Sequence, residues 1–329
     1  VQDLHEMLNQ QLDAFARQLY VTQRVLIVDD EPIILRVITE YLAQREILAD
    51  VTATAEDALE RISERDYAVV VADKNLPGMD GIELLKEIKR KRSETEVLVI
   101  TGCASVDSAL DAIEAGAFDY IPKPFPSLAY ATEKVRGALA RHDFEVRINT
   151  MLSYLSETCK ILLAKLTDGR QTAYIQRLHE ILHTRSQADS GRIVLLGPTA
   201  LANAARQLEY EVIEAETLDE VVSILQTQQI HVVVFVEEAK GPDCSIAVKR
   251  VNQANPDAGV FVVANEASLA NVVNAIGVGV GDYLIRPIEG RELFAPRLAR
   301  LVSRQQRVAK YRRLLDSLKA MNIELQISP

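Results

Sequence analysis

Five short apolar runs, each followed by an amphipathic stretch, occur between residues 25 and 121, and the same succession returns between 192 and 285. The first set reads VLIV (25–28), ADVTA (49–53), AVVVA (68–72), EVLVI (96–100) and FDYI (118–121). Helical periodicity fills the gaps near 32–45, 55–65, 81–91 and 105–115. Continuous Val/Ile runs that do not alternate with polar residues suit strands buried on both faces. Strand–helix alternation demands right-handed crossovers and hence a parallel sheet. The second set, RIVLL (192–196), EVIEA (211–215), HVVVFV (231–236), GVFVVA (259–264) and DYLI (282–285), makes this an internal repeat. The fold class is therefore α/β, with two (βα)5 units built on five-stranded parallel sheets.

The remaining chain is helical in pattern. Residues 1–22 carry a stripe of Leu4, Leu8, Leu12, Phe15 and Leu19. Between the repeats, Ile148, Leu152, Leu155, Cys159, Leu162 and Leu166 follow a heptad seam, Asp168-Gly169 reads as a turn, and Tyr174, Ile175, Leu178, Ile181 and Leu182 mark a second helix. A last stripe runs through Val308, Tyr311, Leu315 and Leu318. The expected division is an N-terminal helix (1–22), a first domain (23–127), a helical or coiled-coil connector (128–190), a second domain (191–302) and a C-terminal helix (303–329). A seam without a visible partner predicts homodimerisation through the connector. The helix that closes the first domain is expected to run on into it, from about 128 to 166.

Bulk properties narrow the function. A formal charge of −10 argues against nucleic acid as the main partner. The basic cluster Arg304, Arg307, Lys310, Arg312 and Arg313 reads as a solvated helix face. No apolar run approaches the roughly 18 residues that cross a bilayer, so no membrane association is expected. Three widely spaced cysteines, Cys103, Cys159 and Cys244, fit a reducing cytoplasm rather than disulfides or zinc.

The chemistry is concentrated at the carboxyl ends of the first five strands, where ligands bind in parallel α/β sheets. Strand one ends in Asp29-Asp30, strand three in Asp73, strand four in Thr101, and strand five leads to Lys123-Pro124. Three carboxylates in one crevice repel one another unless a cation joins them, and Mg²⁺ favours a few carboxylates together with water and phosphate oxygens. A lysine and a hydroxyl facing such a cluster complete a phosphoryl site. The reaction it assembles is attack by a carboxylate on phosphorus to give an aspartyl-phosphate.

VLIVDDEP, DKNLPGMDG, VITG and FDYIPKPF, each at its strand end and in this order, resemble the receiver domain of bacterial two-component response regulators over about 24–142. The resemblance implies a flavodoxin-like fold, with Asp73 as the phosphoacceptor and Asp29, Asp30, Asp73 and the backbone carbonyl of Asn75 around Mg²⁺. It further implies Thr101 and Lys123 on the phosphoryl group, Thr101 and Tyr120 as switch residues, and a cis Lys123-Pro124 bond. The implied partner is a histidine kinase or histidine phosphotransfer protein, in a bacterial cytoplasm. Lys74, Asn75 and Gly102, beside the site, are expected to tune the phosphoryl lifetime.

Aligning the repeat empties the second site. Asp29 and Asp30 fall on Gly197 and Pro198, Asp73 on Glu237, Thr101 on Ala264 and Lys123 on Arg286. The second unit thus resembles a degenerate, or pseudo-, receiver, with little capacity for Mg²⁺ or phosphate. Glu237 either imitates a phosphorylated Asp with its extended carboxylate, Arg286 being a candidate partner, or is a remnant in a domain kept for interaction. His179 and His183 share a helix face, but no phosphotransfer, kinase, cyclase, phosphodiesterase or DNA-binding signature accompanies them. Two readings stand: a non-enzymatic response regulator, or the sensory part of a longer signalling enzyme.

Overall fold

The computed structural model describes residues 23–165, 175–176, 179–180, 182, 191–237, 244–286 and 291–327. The expected N-terminal helix, the Asp168-Gly169 turn and His183 lie outside these residues.

The first sheet consists of β1 (Val25–Val28), β2 (Ala49–Thr52), β3 (Val69–Asp73), β4 (Glu96–Thr101) and β5 (Asp119–Pro122). They are parallel throughout, in the order β2-β1-β3-β4-β5. Helices α1 (Pro32–Ala43), α2 (Ala55–Glu64), α3 (Gly81–Lys91), α4 (Val106–Ala115) and α5 (Leu128–Lys165) follow the strands in turn. Alternate strand residues feed two cores. Val25, Ile27, Val69, Val71, Leu98 and Ile100 meet α1 and α5 on one side. Leu26, Val28, Val70, Val97, Val99 and Tyr120 meet α2, α3 and α4 on the other. Both faces are apolar because both are covered, which is why the strands do not alternate in hydropathy.

Helix starts follow local chemistry. Pro32 opens α1, its missing N–H costing nothing in a first turn. The Thr54 hydroxyl accepts from Asp57 N at the start of α2, and Asp80 with Glu83 forms a capping box on α3. Ser105 and Ser108 cap α4, which ends at Gly116 in the left-handed region that favours glycine.

The second sheet holds β6 (Arg192–Leu196), β7 (Glu211–Ala215), β8 (Val232–Glu237), β9 (Gly259–Ala264) and β10 (Asp282–Ile285). Its order, β7-β6-β8-β9-β10, is the first order shifted by five strands. Its helices are α6 (Thr199–Arg206), α7 (Leu218–Thr227), α8 (Cys244–Ala254), α9 (Leu269–Gly277) and α10 (Arg291–Ile327).

Three sequence expectations change. The expected division at 127 falls just before α5, whose Val135, Ala138 and Leu139 complete the first core. The same holds for α10, where Phe294, Leu298, Leu301 and Val302 belong to the second core and the helix continues unbroken past 303. The heptad seam finds its partners inside the chain. Leu155 and Cys159 pack in one cluster with Ile175, Leu182 and Leu314, which removes the reason for expecting a dimer through that seam. The basic cluster on α10 is not simply solvated either. Arg304 Nε lies 2.6 Å from Glu145 Oε1 on α5, Arg312 Nε lies 2.6 Å from Asp257 Oδ2, and Lys310 donates to the Leu182 carbonyl. The α5 helix itself runs 38 residues, roughly 57 Å at 1.5 Å per residue, as the pattern predicts.

Candidate functional site

The strand order of the first sheet reverses between β1 and β3, which opens a crevice at their carboxyl ends. Asp29 follows β1 and Asp73 ends β3. Both are buried, Asp29 fully and Asp73 at 4% exposure. Lys123, carried in by the turn after β5, joins them: its ammonium lies 2.9 Å from Asp29 Oδ2 and 2.7 Å from Asp73 Oδ1. Glu31 Oε1 stands 3.5 Å from the same nitrogen. The second oxygens are held by the backbone, Asp29 Oδ1 accepting from Glu31 N at 2.9 Å and Asp73 Oδ2 from Asn75 N at 2.6 Å. Lys123 N donates to the Thr101 carbonyl at 2.6 Å, which fixes the end of β5 against β4. The Lys123–Pro124 peptide is cis.

Electrostatics follow burial. Desolvation raises the Asp29 carboxyl above its usual range, and the Lys123 hydrogen bond only partly offsets this. Burial pulls Lys123 down, but its hydrogen bonds to Asp73 and Asp29 outweigh it and leave the ammonium above its ordinary value. Two buried carboxylates therefore share one firmly charged cation.

The sequence-derived site residues divide clearly. Asp29, Asp73 and Lys123 come into direct contact. Thr101 is fully buried at the end of β4, its hydroxyl accepting from Cys103 N at 3.1 Å. Asp30 is exposed beside Asp29. Among the described residues no three acids, histidines or cysteines are grouped closely enough to hold a metal ion. The donors available are nevertheless all oxygens on one crevice, and the charge on two buried carboxylates calls for a cation, so the residue types fit a hard divalent ion. Tyr120 is fully buried on β5 and its hydroxyl meets Ser108 Oγ on α4 at 2.7 Å.

Sequence reasoning missed two contributors. Ser108 gives Tyr120 its partner, and nothing in a lone serine of α4 signals that. Gly81 is the other. A Cβ placed there would stand 2.2 Å from the Asp73 carbonyl oxygen and 2.9 Å from Lys74 Cα. The first turn of α3 rides directly on the loop that carries the acid, and Gly81 N donates to Lys74 O at 2.9 Å. The glycine ending DKNLPGMDG was the legible sign.

In the second sheet, Glu237 ends β8 and Ala264 ends β9, the latter fully buried. Glu237 does not pair with Arg286, the partner the sequence suggested for it. Its Oε2 accepts from the Tyr283 hydroxyl at 3.1 Å, and Arg286 Nη2 is buried without a hydrogen-bond partner among the described residues. The position matching Asp29 is sterically closed: a Cβ on Gly197 would lie 2.3 Å from Val236 Cγ2.

Comparison with known proteins bears on the first domain. Residues 25–133 match the response regulator receiver domain family. The C4-dicarboxylate transport transcriptional regulatory protein DctD of Pseudomonas aeruginosa is 34% identical over 186 residues, 54% of this chain and 37% of that protein. The DNA-binding transcriptional regulator NtrC of Escherichia coli is 36% identical over 101 residues, 31% of this chain and 22% of its own length. The transcriptional regulatory protein CutR of Streptomyces coelicolor is 37% identical over 102 residues, 31% of this chain and 47% of that protein. The chain thus spans less than half of each. Among solved structures, the beryllofluoride-activated NtrC4 receiver domain dimer is 34% identical, covering 36% of this chain and 98% of that one, with a TM-score of 0.35. Among the described residues no helix is long and apolar enough to cross a membrane. Residues 25–133 therefore belong to the response regulator receiver domain family.

Proposed function

We propose that the chain is a response regulator whose chemistry is phosphoryl acceptance on Asp73, with the second domain as a degenerate receiver kept for interaction. The observation that carries this is the meeting of buried Asp73, Asp29 and Lys123 at the switch point of the first sheet. A carboxylate oxygen of Asp73 attacks phosphorus on a phosphohistidine of a kinase or phosphotransfer protein. The new bond is P–O, the P–N bond breaks, and the imidazole nitrogen leaves with the electron pair. Hydrolysis of the acyl phosphate later returns Asp73 and inorganic phosphate, so no separate enzymatic output is assigned to these residues.

Lys123 is placed to follow charge from the carboxylate to the phosphoryl oxygens, because its ammonium already contacts Asp73 and is tethered on Asp29. Thr101 supplies a hydroxyl at the adjacent strand end, and Tyr120 with Ser108 links that end to α4. Asp29, Asp30, Asp73 and the Asn75 carbonyl would hold Mg²⁺, which supplies charge neutralisation between carboxylates and phosphoryl oxygens. The degenerate reading of the second domain is supported by its matching strand order, by Val236 filling the place of the first acid, and by the capture of Glu237 by Tyr283. Nucleic-acid binding is a property of NtrC as a whole, of which this chain spans 22%, and it is not assigned here.

The test is incubation with acetyl phosphate and Mg²⁺, read by intact mass for the wild type, Asp73→Asn and Glu237→Gln. One phosphoryl group is expected on the wild type and on Glu237→Gln, and none on Asp73→Asn. A phosphoryl group that persists without Asp73 refutes the assignment.

A further inference from the structure

The two domains meet through matching elements. Helix α4 packs on α9 and β10, α9 on β5, and α5 on α10. Asp119 corresponds to Asp282 and Leu128 to Arg291, each pair 163 residues apart, so the contact has a pseudo-two-fold axis. Beside it the domains leave a cavity of about 1000 Å³. Cavities of roughly 300–1,000 Å³ between domains are the usual size and place of small-molecule sites. The first domain contributes Lys89 from α3 and Arg141, Phe144 and Glu145 from α5. The second contributes Arg300, Arg304 and Arg307 from α10.

The chain carries a net charge of −10, yet this cavity is cationic. Its acids are shared. Glu96 serves both Lys89, at 3.2 Å, and Arg141, at 2.8 Å. Glu145 serves Arg304 at 2.6 Å and Arg307 at only 4.0 Å. Asp282 serves Arg297 and Arg300, with Glu114 also on Arg297 at 3.4 Å. Asp257, on the same cavity, is taken by Arg312 at 2.6 Å. Leaving that pair aside, six cations meet four acids, an excess of two positive charges. Burial pulls both Lys89 and Arg141 below their ordinary values, and Arg304 repels each of them. The side chains of Arg300 and Arg307 stay 52% and 50% exposed, so their acids do not close them off.

We propose that this cavity binds a nucleotide, its phosphate held by Arg300, Arg304 and Arg307 and its base laid on Phe144. An excess of two positive charges matches the dianion of a phosphate monoester. Guanidinium groups suit it further, because their forked N–H donors fit phosphate oxygens in pairs. The three arginines stand at i, i+4 and i+7 of α10, one helix face about 10 Å long. Phe144 lines the same cavity with 41% of its surface open, and its ring meets Tyr311 edge-on at 6.4 Å. An aromatic face beside cations takes a base of any kind by stacking. A simple inorganic anion would use the arginines and leave the aromatic ring idle. The site shares no residue with the crevice at Asp73, so it stands whether or not Asp73 accepts a phosphoryl group.

The experiment is calorimetric titration of the full chain with AMP, GMP, CMP and UMP, and with inorganic phosphate, all in EDTA. The chelator keeps metal-assisted phosphate binding at the Asp73 crevice out of the measurement. At least one nucleotide is expected to bind, one per chain and at least about fivefold more tightly than phosphate, the lower end of what a stacked base adds. Arg307→Gln, at a half-exposed position, is expected to weaken that binding by at least about tenfold. Phe144→Ala is expected to weaken it by at least about fivefold and Phe144→Tyr to restore it, with circular dichroism confirming that each variant is folded. No binding of any of the four nucleotides up to about 1 mM overturns the proposal. Unchanged affinity in both Arg307→Gln and Phe144→Ala puts the ligand elsewhere and overturns it as well. Loss in Arg307→Gln alone, or phosphate binding as tightly as the nucleotide, overturns the placing of the base on Phe144. Loss in Phe144→Ala alone overturns the arginine cradle.

Discussion

Replacing Gly81 with Ala probes how tightly the acid-bearing loop is clamped to α3. In the middle or first turn of a helix, Ala is favoured over Gly by about 1 kcal/mol, so on propensity alone the change stabilises. Geometry runs the other way. The added methyl would lie 2.2 Å from the Asp73 carbonyl oxygen, about 1 Å inside ordinary contact, and both atoms flanking it are backbone. Overpacking of this kind costs roughly 1–3 kcal/mol, and loss of the 2.9 Å bond from Gly81 N to Lys74 O adds about 1 kcal/mol. The net expectation is a destabilisation of about 1–3 kcal/mol. With a urea slope near 3 kcal/mol/M that lowers the midpoint by about 0.3–1 M. Because relief of the clash displaces Asp73 itself, phosphorylation by acetyl phosphate should fall by about 100-fold, the usual consequence of a 1 Å misplacement. Gly102→Ala is the control, since a Cβ there meets nothing within 4 Å, and its unfolding free energy should stay within about 0.5 kcal/mol of wild type. A Gly81→Ala protein as stable as wild type, with unaltered phosphoryl uptake, refutes the reasoning.

Two further changes test the packing around the site. Ser108→Ala removes the partner of the Tyr120 hydroxyl and half of the α4 capping box. It should cost about 1–2 kcal/mol in urea unfolding, and combining it with Tyr120→Phe should cost less than the sum of the two single changes; strict additivity would deny the bond. Asp50 is a matter of pH. Burial raises its carboxyl, but bonds from the Tyr67 hydroxyl, Arg24 and Arg65 prevail and hold it below the ordinary 3.8. A depressed carboxyl stabilises fully above the unfolded value and loses that contribution as pH falls through the folded one. Asp50→Asn should therefore be less stable than wild type by about 1–3 kcal/mol at pH 7, and the gap should close below pH 3.8; a gap independent of pH would contradict the pairing.

How much of this was legible follows from what each residue answers to. Sheet order and helix positions were readable because burial on both faces forces unbroken Val/Ile runs, and capping residues such as Thr54, Asp80 and Ser105 mark helix starts. Asp29, Asp73 and Lys123 were readable because charged residues at strand ends have little structural reason to be there. Asp30 shows the limit: sequence puts it with the other acids, whereas the backbone after β1 turns its side chain into solvent. The seam from Ile148 to Cys159 misled for a related reason. Periodicity reports that a helix face is apolar and says nothing of what covers it, and the cover over Leu155 and Cys159, namely Ile175, Leu182 and Leu314, comes from up to 159 positions along the chain. The limits drawn at 127 and 302 do not match the helices because α5 and α10 each serve a core and then continue as one helix, and helical periodicity does not report where the core ends.

The differences between the two copies are distributed in a way that burial and repulsion explain. At the carboxyl ends of β6, β8, β9 and β10 the aspartates, hydroxyl and lysine are replaced, Val236 occupies the space beside Gly197, and Glu237 is tied to Tyr283. A crevice that gathers no cation has no use for buried carboxylates, which would only repel one another, so closing it with an apolar side chain lowers the free energy of the fold. At the other face the copies agree. Ala112 and Ile113 match Ala275 and Ile276, Asp119 matches Asp282 with the same bond to the next backbone N–H, and Gly116 and Gly279, in the turns after their helices, take φ +87° and +88°. Agreement at this face is what a pseudo-two-fold contact requires, because each half must present the surface that the other half fits. A second domain that had merely lost its site would have no reason to keep Asp282 buried beside Arg297, whereas in the contact between the domains that pair aims the guanidinium at Glu114.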